Sequence, residues 1–253
     1  MIRVGITGQS GFVGTHLFNS LKEHPEEFSI IPFEDAYFDN EVKLRSFVRQ
    51  CDVLVHLAAM MRSSIEGEVY KVNMHLTHQL IDAMNAEDVN PCILFSSSIQ
   101  EGNGSEYGRC KQEGRELLEK WAKDNNTGFV GMIFPNLYGP GARPNSHSFI
   151  ATFCYKLNHG EMPQIIVDNT VPLKYIGNLI DELLTIIRDA ASTRNIKTIQ
   201  FSPESEMKVT EVLSILLKIK KCFIDNGTIP ILTSNVEKNL FVTFKSYIYN
   251  GRS

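Results

Sequence analysis

"IRVGITGQSGFVGTHLFNSLKE", residues 2–23, decides the fold. Its opening is a short apolar run of strand character, and Val13, Leu17 and Leu21 then recur at helical spacing. Between them stand Gly8, Gly11 and Gly14 in "TGQSGFVG". Gly8 allows a tight turn, Gly11 lets the backbone approach a pyrophosphate, and Gly14 lets helix and sheet pack closely. The helix N-terminus then offers free N–H groups to phosphate oxygens, and the residues of this turn, Ser10, Phe12 and Val13, carry those groups. Three spaced glycines alone are weak evidence. A strand before them and a helix after them are the context the motif requires.

Outward from this loop, apolar runs alternate with helical patterns. "FSIIPF" (28–33) reads as a strand that Pro32 ends, and "EVKLRSFVRQ" (41–50) as a helix. "CDVLVHLAA" (51–59), "PCILFSS" (91–97) and "GFVGMIFP" (128–135) are nearly continuous apolar strands. The helices between them cover 69–87 and 106–125. Strands apolar on both faces that alternate with helices predict an α/β, Rossmann-like, doubly wound parallel sheet. Beyond residue 140 the signal is weaker. Helices are expected over 144–160, 178–190 and 209–223, with short strands at "IIV" (165–167) and "PLKYI" (172–176). The expected division is a dinucleotide-binding domain over 1–141 and a smaller substrate lobe over 142–253.

The chain has 253 residues, 43% apolar and 21% charged, enough for a sizeable core. Its 25 basic and 29 acidic residues give a net charge of −4, with no Lys/Arg block, so no nucleic acid partner is expected. The N-terminus is too short and glycine-broken for a signal peptide, and no apolar run nears the ~20 residues of a membrane span. Cys51, Cys92, Cys110, Cys154 and Cys222 lack CxxC spacing and read as reduced thiols of a cytoplasmic protein. His75 and His78 lie three apart on a helix without further ligands nearby, so no metal site is expected.

"SSSIQEGNGSEYGRCK", residues 96–111, brings three serines to a strand end and sets Tyr107 and Lys111 on one helix face. After the second strand, Glu34 and Asp35 are placed to meet the adenosine ribose; a carboxylate there favours NAD(H) over NADP(H) by repelling a 2′-phosphate. Asp39 follows, within reach of adenine. Asn136 ends a strand at the same rim, and Arg143 carries a guanidinium suited to a diphosphate.

Together "TGQSGFVG", "DVLVHLAA" (52–59), "LFSSS" (94–98), "YGRCK" (107–111) and "PNLYGPG" (135–141) resemble the extended short-chain dehydrogenase/reductases. That resemblance implies a nicotinamide cofactor lined also by Leu57, Ala58, Ala59, Lys111 and Pro135. It implies catalysis by Ser98, Tyr107 and Lys111, with Ser98 chosen among the three serines by the family pattern. Substrate contacts would come from Ser98, Tyr107, Asn136 and Arg143, and two helices per subunit, 69–87 and 106–125, would form a homodimer. The short gap from Ser98 to Tyr107 and "PNLYGPGARPNSHSFIATFCYKL" (135–157) resemble more closely the reductase domain of bacterial capsular-polysaccharide enzymes. Those reduce a UDP-4-keto-6-deoxy-N-acetylhexosamine in the UDP-N-acetyl-L-fucosamine route and carry a C-terminal cupin domain. On that resemblance the chain is a reductase-only homologue or a truncated one.

The residues suit such a reaction. A ketone that accepts hydride gathers negative charge on oxygen. Tyr107 would supply the proton, with the Lys111 ammonium expected to lower its pKa, while Ser98 orients the carbonyl. The pattern departs from the family at Cys110, where serine is usual, at Ile133, in the region where an arginine is usual, at 174–183, which lacks the usual acid pair, and at Glu34, where close relatives carry a basic residue. Two other readings use the same motifs: an NAD-dependent 4-epimerase of nucleotide sugars, and a dinucleotide-sensing regulator without catalysis.

Overall fold

The computed structural model describes residues 1–146 and 148–248. Two compact units are present: 1–134 with 180–201, and 135–179 with 202–253. The expected single division at 141/142 thus differs in two ways. The chain leaves the first unit at Phe134, earlier than expected, and returns to it for residues 180–201.

The first unit begins with β1 (Ile2–Thr7), α1 (Phe12–Lys22) and β2 (Phe28–Ile31). A short 3-10 helix (Asp35–Asp39) leads to α2 (Glu41–Val48), capped by the Asn40 side chain, which accepts from the Lys43 N–H. Then follow β3 (Val53–His56), α3 (Glu68–Glu87), β4 (Cys92–Ser98), α4 (Glu106–Asp124) and β5 (Phe129–Phe134). In the second unit β6 (Asn136–Tyr138) and α5 (Phe149–Asn158) precede β7 (Thr170–Tyr175). α6 (Ile176–Ser192) leads back to β8 (Ile196–Gln200) in the first unit. β9 (Ser205–Lys208), α7 (Val209–Lys220), a short π-helix (Lys221–Asp225) and α8 (Asn235–Ser246) follow.

The main sheet runs β2-β1-β3-β4-β5-β8 and every pair in it is parallel. Strand order reverses between β1 and β3, so the crevice beyond their carboxyl ends is the topological switch point, where ligands of open α/β sheets bind. β3 and β4 are buried along nearly their whole length, as the unbroken apolar runs require. Their partners in the core include Phe47 of α2, Leu80 and Met84 of α3, and Leu118 and Trp121 of α4. The Trp121 indole N–H donates to Asn85 Oδ1 at 2.8 Å, so this large ring is buried without an orphaned donor.

The second unit holds a three-stranded sheet, β6-β7-β9, parallel between β6 and β7 and antiparallel between β7 and β9. α5 starts later than the 144–160 pattern implied: Ser148 caps it by accepting from the Ile150 N–H, while His147 lies outside the described residues. "IIV" (165–167) is not a strand; Ile166 is 95% exposed. Among the described residues no helix is long and apolar enough to cross a membrane.

Candidate active site

The glycine loop has the geometry its sequence demands. Gly8 takes a left-handed φ of +69°, and a Cβ there would lie 2.6 Å from the backbone nitrogen of Ala58. Leu57, Ala58 and Ala59 follow β3 directly, so the two switch-point strands meet backbone to backbone at Gly8. A Cβ on Gly14 would strike the Gly8 carbonyl and stand 2.8 Å from Gln9 Cα. Gly11 is the N-cap of α1 and offers no side-chain cap, which leaves N–H groups of the first turn, on Val13 and Gly14, for a ligand. These residues fit a dinucleotide pyrophosphate.

Beyond β2 the acids separate. Asp35 accepts a hydrogen bond from Ser10 Oγ at 3.0 Å, tying the glycine loop to the 3-10 helix. Glu34 is the exposed N-cap residue of that helix, and Asp39 stands exposed at its end. Asp35 is therefore the acid held against the glycine loop.

At the end of β4 the three serines are differentiated. Ser97 points to the opposite face and is bonded to Glu101, which Arg115 of α4 clamps with N···O distances of 2.9–3.3 Å. Ser96 is buried and donates to the His56 carbonyl at 3.1 Å. Ser98, half-buried on the same face as Ser96, accepts from the Gln100 N–H at 3.2 Å. A loop of alternating turns, with Gly102 and Gly104 at φ +75° and +80°, leads to α4.

The first turn of α4 is fixed from several sides. Ser105 caps it, accepting from the Gly108 N–H at 3.0 Å. Gly108 is required because a Cβ would meet the Gln100 carbonyl and approach Asn103 Oδ1 to 2.7 Å. From α3, Asn73 accepts from the Met60 N–H and donates to the Met60 carbonyl, both at 2.8 Å, and donates to Cys110 Sγ at 3.2 Å. The Cys110 thiol in turn donates to the Tyr107 carbonyl at 3.1 Å. Cysteine at this position thus joins the helix bearing Tyr107 to the segment after β3.

Lys111 is 3% exposed, with its Nζ 5.7 Å from the Tyr107 ring centre and 5.0 Å from that of Phe95. Loss of water pulls its pKa down from 10.5 to about 8. Tyr107 departs from expectation. Burial pushes its phenol above the ordinary range, with a smaller push from Cys110, and the expected lowering by Lys111 is not found. His56 is buried beside them and kept neutral, its pKa lowered to about 3 by burial and then by the Lys111 charge. The sequence reading passed over His56, Thr7 and Ser96, because in an apolar strand each reads as an ordinary core residue.

Pro135, Asn136 and Arg143 belong to the second unit. Pro135 is buried at its start, the exposed Asn136 donates to the Pro172 carbonyl at 3.2 Å, and Arg143 is exposed in the turn that follows β6. Among the described residues no group of three or more His, Cys, Asp or Glu side chains is placed to hold a metal ion.

Sheet order and loop define a Rossmann-like, dinucleotide-binding α/β protein. The pattern of the NAD dependent epimerase/dehydratase family matches residues 4–199, and the chain belongs to that family. It is 27% identical over 251 residues to a UDP-2-acetamido-2,6-beta-L-arabino-hexul-4-ose reductase of Pseudomonas aeruginosa, covering 98% of this chain and 65% of the relative. The capsular polysaccharide assembling protein CapF of Staphylococcus aureus superposes with a TM-score of 0.80 at 29% identity, over 99% of this chain and 66% of that one. This chain spans about two-thirds of the length of both. A UDP-glucose 4-epimerase of Thermotoga maritima, solved with UDP-glucose, shares the fold at a TM-score of 0.78 and 16% identity, covering 100% of each chain.

Proposed function

We propose that the chain reduces the C4 ketone of a UDP-linked 4-keto-6-deoxy-N-acetylhexosamine, in the making of a surface-polysaccharide precursor. The observation that carries this reading is its similarity, along 98% of its length, to a reductase of such a hexulose. Bound at the glycine loop, NAD(H) or NADP(H) would supply the hydride. Gly8, Ser10, Gly11, Phe12, Val13 and Gly14 hold the pyrophosphate, and Leu57, Ala58 and Ala59 line the dinucleotide. The family resemblance adds Pro135 to that lining and assigns Asn136 and Arg143 to the sugar nucleotide.

Tyr107 gives its phenolic proton to the carbonyl oxygen as negative charge gathers there. Its raised pKa keeps that proton in place at every physiological pH. The Lys111 ammonium stabilises the phenolate left behind, and the Ser98 hydroxyl donates to the substrate's carbonyl oxygen. Protonated Lys111 is the working form and its pKa is about 8, so turnover is expected to fall as pH rises through that value. A pH–rate profile flat to pH 10 would remove Lys111 from this role.

The acids beyond β2 favour NAD(H). With Asp35 held by Ser10 and Glu34 beside it, a 2′-phosphate would meet negative charge. Fluorescence titration is expected to show tighter NADH than NADPH binding, and the reverse order would place both acids out of reach of the ribose.

The homodimer rests on the family resemblance. Leu80, Met84, Leu118 and Trp121 are taken up by the chain's own core and Leu117 packs against it, leaving half-buried Val72, Met74 and Leu76 of α3 as the apolar contribution. Light scattering is expected to give twice the monomer mass, and a monomer at micromolar concentration would refute the interface.

The 4-epimerase reading stands second, favoured by the shared fold of the Thermotoga maritima enzyme. Dinucleotide consumption distinguishes the two: a reductase uses one equivalent per product, whereas an epimerase regenerates its own.

A further inference from the structure

We infer that Ser96 is a positioning residue for Lys111: its hydroxyl, anchored to the carbonyl of His56, presents its lone pairs to the lysine ammonium and holds that cation in place under the reacting site. Ser96 is not the serine the family pattern assigns to the substrate. It lies two residues earlier on β4, on the same face, and deeper.

The bonds fix its direction. Ser96 Oγ donates to the His56 carbonyl at 3.1 Å, so its single proton is committed there. What remains are lone pairs, and Lys111 Nζ donates to them at 3.4 Å. Both side chains are buried, Ser96 at 8% and Lys111 at 3% exposed, so a lost acceptor there is poorly replaced by bulk water. The anchor is itself held. His56 Nδ1 and Thr7 Oγ1 share a hydrogen bond of 2.6 Å, and the N–H of Leu57 donates to the Thr7 carbonyl at 3.2 Å. A line of buried polar contacts therefore runs from the strand that ends in the glycine loop, through β3 and β4, to the lysine on α4.

The titratable groups facing Lys111 are His56 from β3, with Cys110 and Tyr107 on its own helix, while β4 presents the Phe95 ring. His56 is neutral, and its proximity to Lys111 disfavours a second positive charge. Ser96 thus favours the ammonium form against the burial that disfavours it.

The inference rests on the role given to Lys111 above, and its test is run without substrate, so failure of the ketosugar assay and failure of this inference are told apart. The protein is labelled with 13Cε-lysine, and the Lys111 resonance, assigned by its loss in Lys111→Arg, is followed against pH. In Ser96→Ala the midpoint is expected about one pH unit below wild type, the change that follows loss of one acceptor from a charged donor. Ser97→Ala, on the other face of the strand, is expected to keep the wild-type midpoint. Should the alanine variant not fold by circular dichroism, Ser96→Gly, which also removes the hydroxyl and adds no titratable group, replaces it with the same expected shift. An unchanged Lys111 midpoint in the folded Ser96 variant, or an equal shift in Ser97→Ala, would overturn the assignment.

Discussion

Replacing Tyr107 by phenylalanine is expected to slow turnover about 10²–10⁴-fold, the range that one general acid contributes, with dinucleotide affinity close to wild type. The substitution removes one hydroxyl and leaves the ring, which stays in place beside Lys111. The helix start does not depend on that hydroxyl: Ser105, Gly108 and the Asn73–Cys110 contact fix it through the backbone and other side chains. Folding and cofactor binding are therefore preserved while the proton donor is lost. Rate and affinity are measured on one preparation, by turnover and by fluorescence titration. A near wild-type rate would pass the proton-donor role to another group.

Gly8→Ala is expected to act on binding and stability together. The left-handed φ of +69° costs a non-glycine residue about 1–2 kcal/mol. The added Cβ would also stand 2.6 Å from the Ala58 nitrogen and 2.7 Å from its Cα, and backbone cannot rotate away as a side chain can. The loop must shift, and with it the N–H groups at the start of α1 that are proposed to receive the pyrophosphate. The expected result is a melting temperature lowered by several degrees and dinucleotide affinity weakened about tenfold or more. Wild-type affinity in this variant would show that the pyrophosphate does not sit on this loop.

Much of this was legible in the sequence where local pattern and burial agree. β3 and β4 are buried on both faces, so their apolar runs announce a central parallel sheet, and the glycine spacing announces the turn between β1 and α1. β8 escaped notice because "IKTIQ" alternates polar residues at the sheet's edge, and only its pairing with β5 makes it a strand. α8 carried a readable start signal that was passed over: Ser234 and Glu237 form a capping box, serine followed three residues later by glutamate. "IIV" misled because apolar residues in a row suit a strand, yet these lie in an exposed segment without a pairing partner in either sheet.

The catalytic candidates were legible as residue types but not as an electrostatic arrangement. Spacing put Tyr107 and Lys111 on one helix face, and the structure keeps them together. It could not show that burial raises the phenol's pKa, because desolvation depends on elements distant in sequence. Nor could three adjacent serines reveal that one meets Glu101, one meets Lys111, and one remains at the strand end.

The central claim is tested most directly by supplying the purified protein with a UDP-4-keto-6-deoxy-N-acetylhexosamine and either NADH or NADPH, and following absorbance at the dihydronicotinamide band beside product mass. A reductase predicts one equivalent of dinucleotide oxidised per sugar, with a product two hydrogens heavier. Conversion with no net dinucleotide oxidation, or dinucleotide binding with no conversion of any ketosugar, would contradict it.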